Sequence, residues 1–282
     1  MTFNPNNYMN YQPAKDDSLL CMMGLNVLED EGLAIEVATH LKKICDDLGL
    51  PYVFKASFDK ANRSSIKSFR GPGETEGLKI LEAVKSKVGV PVITDIHTPE
   101  QADRVAEVCD IVQIPAFLVR QTDLVTAIAK AAQKHKRLIH AKKAQFLAPW
   151  DCKNIIDKIV EVTGENTVIL CERGTSFGYN NLIVDPLAIP EMKKLGCPVS
   201  VDATHAVQLP GADPRTQGAS TGGRRDGVAI VAKSCVAAGA DAVFLEFHPE
   251  PDSAKCDAPC CLALDDAEKL VKTLVNIKKA VS

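Results

Sequence analysis

Continuous apolar runs alternate with helix-period segments from the first fifth of the chain to its end. The runs are Leu19–Leu25, Tyr52–Phe58, Pro91–His97, Ile111–Phe117, Leu138–Ala141, Thr167–Cys171, Val199–Ala203 and Ala242–Phe247. Rich in valine and isoleucine, they read as strands buried on both faces, and strands alternating with helices imply a parallel sheet. Between them lie Leu33–Leu48, Glu76–Val88, Ala102–Val108, Leu124–Lys134, Lys153–Val162, Ile189–Leu195 and Gly227–Ala238, with Leu264–Ala280 at the end. Their apolar residues recur at three and four, as at Leu33, Val37 and Leu41, which is helix spacing. Gly49 with Pro51, Gly89 with Pro91 and Gly196 with Pro198 each close a helix and launch the next strand.

Eight such units in one chain predict a single (β/α)8 TIM barrel, a fold of about 250 residues. An open doubly wound sheet is the alternative that the same pattern allows. No linker or low-complexity stretch divides the chain, so the barrel is expected over residues 19–282. Met1–Ser18, polar and rich in Asn and Tyr, is read as an N-terminal extension that is either disordered or covers one barrel end.

Charge narrows the function classes. Thirty-three basic residues stand against 36 acidic ones, a formal net charge of -3, which argues against a nucleic-acid binder. Aromatic residues make up 5% of the chain, too few for a base-stacking surface. No apolar run approaches the roughly 18 residues of a membrane span, and no export signal is present, so a cytoplasmic protein with no membrane partner is expected. The ten cysteines include no C-x-x-C pair, although Cys256, Cys260 and Cys261 cluster. They are expected to be reduced, structural thiols.

A barrel carries its active site at the C-terminal ends of its strands. There the sequence places Asn26 and Glu29; Lys55, Asp59, Lys60, Asn62 and Arg63; Asp95 and His97; Gln113 and Arg120; Lys142, Lys143 and Gln145; Glu172 and Arg173; Asp202 and His205; and Glu246, His248 and Asp257. By period two, Ile93, Asp95 and His97 share a strand face, as do Ile169, Cys171 and Arg173, and Val201, Ala203 and His205. If those faces point into the barrel mouth, opposite charges converge there. Any single one of these groups has the alternative of being a solvated loop charge. Lys55 is less ordinary, because it interrupts the run Tyr52-Val53-Phe54-Lys55-Ala56. It is either an edge residue that snorkels to water or an inward anion-binding group, and the barrel favours the second. Converging Lys and Arg suit a phosphorylated or carboxylated substrate. Nucleotide motifs fail: Gly71-Pro72-Gly73-Glu74-Thr75-Glu76-Gly77 misses the dinucleotide fingerprint, and Gly222-Gly223-Arg224-Arg225 lacks the Walker lysine spacing.

The stretch Phe54-Lys55-Ala56-Ser57-Phe58-Asp59-Lys60-Ala61-Asn62-Arg63-Ser64-Ser65 resembles the signature of the 3-deoxy-D-manno-octulosonate 8-phosphate synthase family. The likeness continues through Ser68-Phe69-Arg70-Gly71-Pro72-Gly73, Thr94-Asp95-Ile96-His97, Gln113-Ile114-Pro115-Ala116-Phe117-Leu118 and Arg120-Gln121-Thr122-Asp123. It carries on at Lys142-Lys143-Ala144-Gln145-Phe146, Cys171-Glu172-Arg173-Gly174, Asp202-Ala203-Thr204-His205 and Glu246-Phe247-His248-Pro249. It thus covers nearly the whole chain beyond Leu19, with one motif per strand end.

The resemblance implies a homotetrameric barrel enzyme that condenses phosphoenolpyruvate with D-arabinose 5-phosphate and water. Phosphate leaves with C–O cleavage, and the product leads toward the inner-core sugar of lipopolysaccharide. On the same footing, Lys142 and Arg173 would hold the phosphate of phosphoenolpyruvate, helped by the backbone near Ala116. Lys55 and Lys60 would meet its carboxylate and the aldehyde oxygen, near Gln145. Asn62, Arg63 and Ser64 would bind the sugar phosphate, with Arg63 serving a neighbouring subunit's site. Ser57, Gln113 and Glu246 join the implied substrate contacts, and His205, Asp95 and Asp257 are candidates to orient or deprotonate the water.

The metal-dependent branch of that family resembles a Cys, His, Glu, Asp site. His205, Glu246 and Asp257 match three of those ligands, but Asn26 stands where the cysteine would be, and an amide is a poor transition-metal ligand. Cys21 lies five strand residues away, about 16 Å. A metal-independent enzyme with no cofactor is therefore expected. The enzyme alternative is 3-deoxy-D-arabino-heptulosonate 7-phosphate synthase, which takes erythrose 4-phosphate and carries a Lys-Pro-Arg-Thr type stretch where this chain has Lys60-Ala61-Asn62-Arg63. A non-catalytic sugar-phosphate-binding barrel is the alternative of another class.

Overall fold

The computed structural model describes residues 18–211 and 221–282. Its strands are β1 (Leu20–Val27), β2 (Tyr52–Ser57), β3 (Val92–Asp95), β4 (Ile111–Ile114), β5 (Leu138–Lys142), β6 (Val168–Glu172), β7 (Val199–Asp202) and β8 (Ala242–His248). All pair in parallel with their sequence neighbours. β1 also pairs with β8, from Leu20 opposite Ala242 to Gly24 opposite Glu246. That last ladder closes the sheet and rules out the open doubly wound alternative. The fold is a (β/α)8 barrel. Apart from Ser18, the expected N-terminal extension lies outside the described residues.

The helices are α1 (Glu31–Leu48), α2 (Glu74–Val88), α3 (Ala102–Val108), α4 (Thr122–His135), α5 (Lys153–Thr163), α6 (Ala188–Lys193), α7 (Ala203–Ala206), α8 (Arg225–Ala237) and α9 (Ala267–Val281). Asp30 caps α1 by accepting from the Leu33 N–H at 2.9 Å. At the other end Gly49 turns left-handed with φ 66, a conformation that favours glycine, so the predicted stop is a true cap.

Two apolar layers explain why the strands read as unbroken runs. Leu20, Met22, Val53, Ile93, Ile111, Leu138, Ile169, Ala242 and Phe244 fill the barrel interior. The alternate residues, such as Cys21, Phe54, Val112 and Val201, pack outward against the helices. Each fully buried Ile or Phe contributes about 1.5–3 kcal/mol. All ten cysteines are buried free thiols.

Three departures from the sequence reading matter for the site. The run Ile111–Phe117 is a strand only to Ile114, because Pro115 has no N–H for the ladder and the chain turns into a 3-10 turn at Ala116–Leu118. The run Val199–Ala203 ends at Asp202, whose Oδ1 accepts the His205 N–H at 2.9 Å and starts α7. The period-two face Val201, Ala203, His205 is therefore incorrect: Val201 belongs to the outer layer, Asp202 points inward, and a helical turn delivers His205 to the mouth. Finally, β1 bulges between Gly24 and Val27 relative to β2, beside Asn26. A Cβ on Gly24 would lie 2.1 Å from the Lys55 carbonyl oxygen, so only glycine allows this close approach.

Candidate active site

At the C-terminal mouth of the barrel one cavity is lined by Lys55, Ser57, Lys60, Asn62, Arg63, Ser64, Asp95, Gln113, Ala116, Lys142, Gln145, Arg173, His205 and Asp257. Every residue to which the resemblance gives a role is on this wall except Asn26 and Glu246, whereas the strand-end charges Glu29, Asp59, Arg120, Lys143, Glu172, Asp202 and His248 do not line it. Asn26 and Glu246 lie beneath it, 4% and 0% exposed, in contact with His205. The solvated-charge alternative fails for the barrel-facing groups, since Lys55, Lys60, Asp95, Lys142 and Arg173 are all buried.

Lys55 points inward, as its place in an apolar run predicts. Its ammonium donates to Ser57 Oγ at 2.9 Å, lies 3.2 Å from Asp95 Oδ1 and stands 5.5 Å above the Phe244 ring. Burial pushes its pKa down to about 8 from the usual 10.5, against the pull of Asp95. Asp95 also accepts from Ser57 and meets His97 Nε2 at 3.0 Å. Although burial opposes its charge, Lys55 and His97 hold its carboxyl well below the usual range. A carboxylate so engaged is an orienting group and a weak base. Burial works likewise against the charge of Lys60, but the field of Glu246, with Cys256 and Asp95, holds it above its ordinary value, so it is a firm cation.

Lys142 and Arg173 end β5 and follow β6. The Lys142 ammonium lies 2.5 Å from Asp202 Oδ2 and 4.2 Å above the Phe244 ring. Arg173 donates through Nη2 to Gln208 Oε1 at 3.0 Å, while its Nε and Nη1 are buried and find no acceptor among the described residues. Buried guanidinium donors left in this state are costly unless an anion takes them. Asn62, Arg63 and Ser64 lie on the loop after β2, where Arg63 Nη1 is 2.7 Å from Cys256 Sγ. Within the one chain Arg63 thus lines its own cavity, whereas the resemblance places it in a neighbour's.

Four groups converge under the wall. The Asn26 side-chain amide donates to Glu246 Oε2 and, at 3.2 Å, to Asp257 Oδ2, and lies 3.4 Å from His205 Nε2. The amide orientation follows from these partners, because turning Oδ1 around would set its lone pairs against two carboxylates. A divalent cation needs an electron-pair donor here, and Asn26 presents N–H bonds. His205, Glu246 and Asp257 converge on that NH2 group, so this donor set does not fit a transition metal. Among the described residues no cluster of three or more His, Cys, Asp or Glu is arranged to hold one. Cys21 is no substitute, since it packs in the outer layer.

Sequence reasoning passed over several contributors. Gln208 bridges Arg173 and Asp257, accepting from the first and donating to the second at 3.0 Å each. His140 supports Gln113 from within the barrel, 3.1 Å from its Oε1, with Ser200 Oγ at 2.8 Å on the other ring nitrogen. Burial drives the His140 pKa down to about 3, so it is a neutral strut stacked on Phe244. Asp202 was legible only as a strand-end acid. Gly174-Thr175-Ser176-Phe177-Gly178 has the spacing of an esterase nucleophile motif. Ser176, however, is exposed in a two-residue strand paired with Leu182–Ile183, instead of on a strand-to-helix elbow.

Residues 7–282 match the model of the DAHP synthetase I family. A 2-dehydro-3-deoxyphosphooctonate aldolase of Pseudomonas fluorescens (strain SBW25) is 51% identical over 268 residues, 95% of this chain and 92% of its own. Proteins of the same name from Marinobacter nauticus and Stutzerimonas stutzeri are each 52% identical. They match over 95% and 96% of this chain and 92% and 94% of their own lengths.

Proposed function

The chain belongs to the DAHP synthetase I family, and we infer that it is an enzyme condensing phosphoenolpyruvate with D-arabinose 5-phosphate and water. The products are 3-deoxy-D-manno-octulosonate 8-phosphate and inorganic phosphate. One observation carries the reading. Two phosphate-suited groups, Lys142 with Arg173 and Arg63 with Asn62 and Ser64, line a single cavity together with Lys55 and Lys60. The relatives named for an octonate product support the five-carbon sugar acceptor over the four-carbon one.

Lys142, Arg173 and the backbone at Ala116 receive the phosphate of phosphoenolpyruvate, and Lys55 its carboxylate, with Ser57 and Gln113 alongside. Asn62, Arg63 and Ser64 hold the sugar phosphate. Lys60, kept charged, donates a hydrogen bond to the aldehyde oxygen near Gln145. A water adds its oxygen to C2 and gives a proton to His205 Nε2, while C3 bonds to the aldehyde carbon, whose oxygen, hydrogen-bonded to Lys60, takes up a proton from solvent. Glu246 and Asp257 offset positive charge developing at C2. The C2–O bond to phosphate then breaks, its electron pair leaving with the phosphate oxygen, and the C2 hydroxyl gives its proton to the departing phosphate as the ketone forms. Asp95, engaged by Lys55, Ser57 and His97, orients its neighbours, and Asn26 holds Glu246 and Asp257 in place of a metal.

The reaction is proposed to need no metal ion or cofactor. A homotetramer is proposed as well, supported by the exposed Phe117, Phe146, Trp150, Phe177, Tyr179 and Leu187 on loops after β4, β5 and β6. A second copy of this chain would cover that apolar face. Among the described residues no helix is long and apolar enough to cross a membrane; a cytoplasmic location and a place in lipopolysaccharide synthesis are part of the same proposal. Phosphoenolpyruvate labelled with oxygen-18 at the bridging C2–O position tests the chemistry. The label should appear in the released phosphate, and label retained in the sugar acid would overturn C–O cleavage.

A further inference from the structure

Asp202 is fully buried at the end of β7, and its carboxylate reaches both ends of the site. Oδ2 accepts from the Lys142 ammonium at 2.5 Å and faces His205 Nδ1 at 2.8 Å; Oδ1 accepts the His205 backbone N–H at 2.9 Å. Burial opposes its ionisation, but His205, Lys142 and Arg173 hold the carboxyl well below its usual range. An ionised carboxylate only accepts, so in a neutral His205 ring the hydrogen belongs on Nδ1 and the lone pair on Nε2.

The Asn26 NH2, 3.4 Å from Nε2, agrees with this tautomer, and two other neighbours of Nε2 argue against it. Glu246 Oε2 at 3.6 Å and Asp257 Oδ2 at 3.7 Å would both welcome an N–H. They lose on distance to Asp202, and the Asn26 amide already donates to both of those oxygens. Asp202 is thus the group that keeps Nε2 able to accept a proton.

We propose that Asp202 is the positioning residue of this reaction: one carboxylate fixes the His205 tautomer with Nε2 facing the water and pins Lys142 where the phosphate of phosphoenolpyruvate binds. The proposal rests on the function inferred above and adds that the phosphate-binding end and the water-activating end share a single oxygen atom, Asp202 Oδ2. In Asp202→Asn the fixed His205 backbone N–H would keep the amide oxygen in the place of Oδ1, so the NH2 would take the place of Oδ2, facing Nδ1 and no longer accepting from Lys142. Nδ1 would then become the acceptor and Nε2 would carry the hydrogen.

The test combines nitrogen-15 NMR of histidine-labelled full-length protein with steady-state kinetics, the His205 signals being assigned by their loss in His205→Asn. In the wild type the neutral ring should show a protonated Nδ1 and a lone-pair Nε2; in Asp202→Asn the two should exchange. The kcat of Asp202→Asn should fall by about 10²–10⁴-fold, the contribution of a positioned general base, with the upper end matching the loss of the carboxylate from a His–Asp pair. Its KM for arabinose 5-phosphate should stay within about twofold, because a group that binds nothing on the sugar contributes no uniform binding to it. A wild-type ring already protonated at Nε2 overturns the proposal, even if the variant does not fold. So does a variant whose kcat stays within about threefold of wild type. Wild-type protein that releases no phosphate would instead overturn the inferred function, and the tautomer measurement would still decide the role of Asp202.

Discussion

Asn26 and Asp257, 231 residues apart in sequence, are joined by a hydrogen bond of 3.2 Å from the Asn26 amide to a carboxylate oxygen. The same amide donates to Glu246, so a buried acid and a part-buried one are held together by N–H groups where a cation would otherwise be needed. Activity should therefore survive exhaustive chelation, and loss of turnover restored by zinc or iron would contradict this. Replacing the amide by a thiolate, Asn26→Cys, should complete a Cys, His, Glu, Asp ligand set and yield about one equivalent of bound zinc by elemental analysis. A variant that binds none would show that the other three side chains are held out of reach.

Arg63 lines the same cavity as Asn62 and Ser64 but lies away from Lys142 and Arg173 in its contacts, its Nη1 reaching Cys256. Arg63→Ala removes a charge-assisted contact worth about 1.5–3 kcal/mol, so the KM for arabinose 5-phosphate should rise about 10- to 150-fold. The KM for phosphoenolpyruvate should move by less than about threefold. Equal losses for both substrates would contradict a sugar-phosphate role.

The Lys55 pKa, pushed down by burial to about 8, lies within reach of ordinary assay conditions. Its ammonium empties as pH rises through that value, so the phosphoenolpyruvate KM should climb between about pH 7 and about pH 9. A flat KM over that interval would contradict its role at the carboxylate. The stability sign is opposite to that of a favourably paired lysine. Between the folded value of about 8 and the usual 10.5 the unfolded chain binds more protons, so the contribution of Lys55 to stability rises with pH in that window.

Next in sequence to Lys142 and Arg173, Lys143 and Glu172 form an ion pair that does not line the cavity. Lys143 Nζ is 3.6 Å from Glu172 Oε2 and donates to Thr175 Oγ1 at 3.1 Å, with both charged side chains buried. Lys143→Met leaves the Glu172 carboxylate uncompensated and should lower the unfolding free energy by about 3–5 kcal/mol. Lys143→Met with Glu172→Gln should cost clearly less in the same denaturant titration. A single substitution costing under about 1 kcal/mol would contradict the coupling.

The barrel was legible because its local signals agree. The apolar runs are long enough to mark strands buried on both faces, and glycines such as Gly49 mark where helices end. Lys55 declared itself by interrupting such a run. Period two failed at β7, because the strand stops at Asp202 and α7 changes the spacing before His205. Gln208 sits in a two-residue strand opposite Gly223, too short for any periodicity to show. His140 reads as one more member of an apolar run. Its chemistry comes from Gln113 and Ser200, 27 and 60 residues away, which only folding brings beside it. Pairings of that range carry no local signature in the sequence.

Phosphate release in parallel incubations with phosphoenolpyruvate and either D-arabinose 5-phosphate or erythrose 4-phosphate tests the central claim most directly. Release with the five-carbon sugar phosphate, together with an eight-carbon 3-deoxy sugar acid phosphate by mass spectrometry, is the expected result. Release with the four-carbon sugar alone, or with neither, would contradict it.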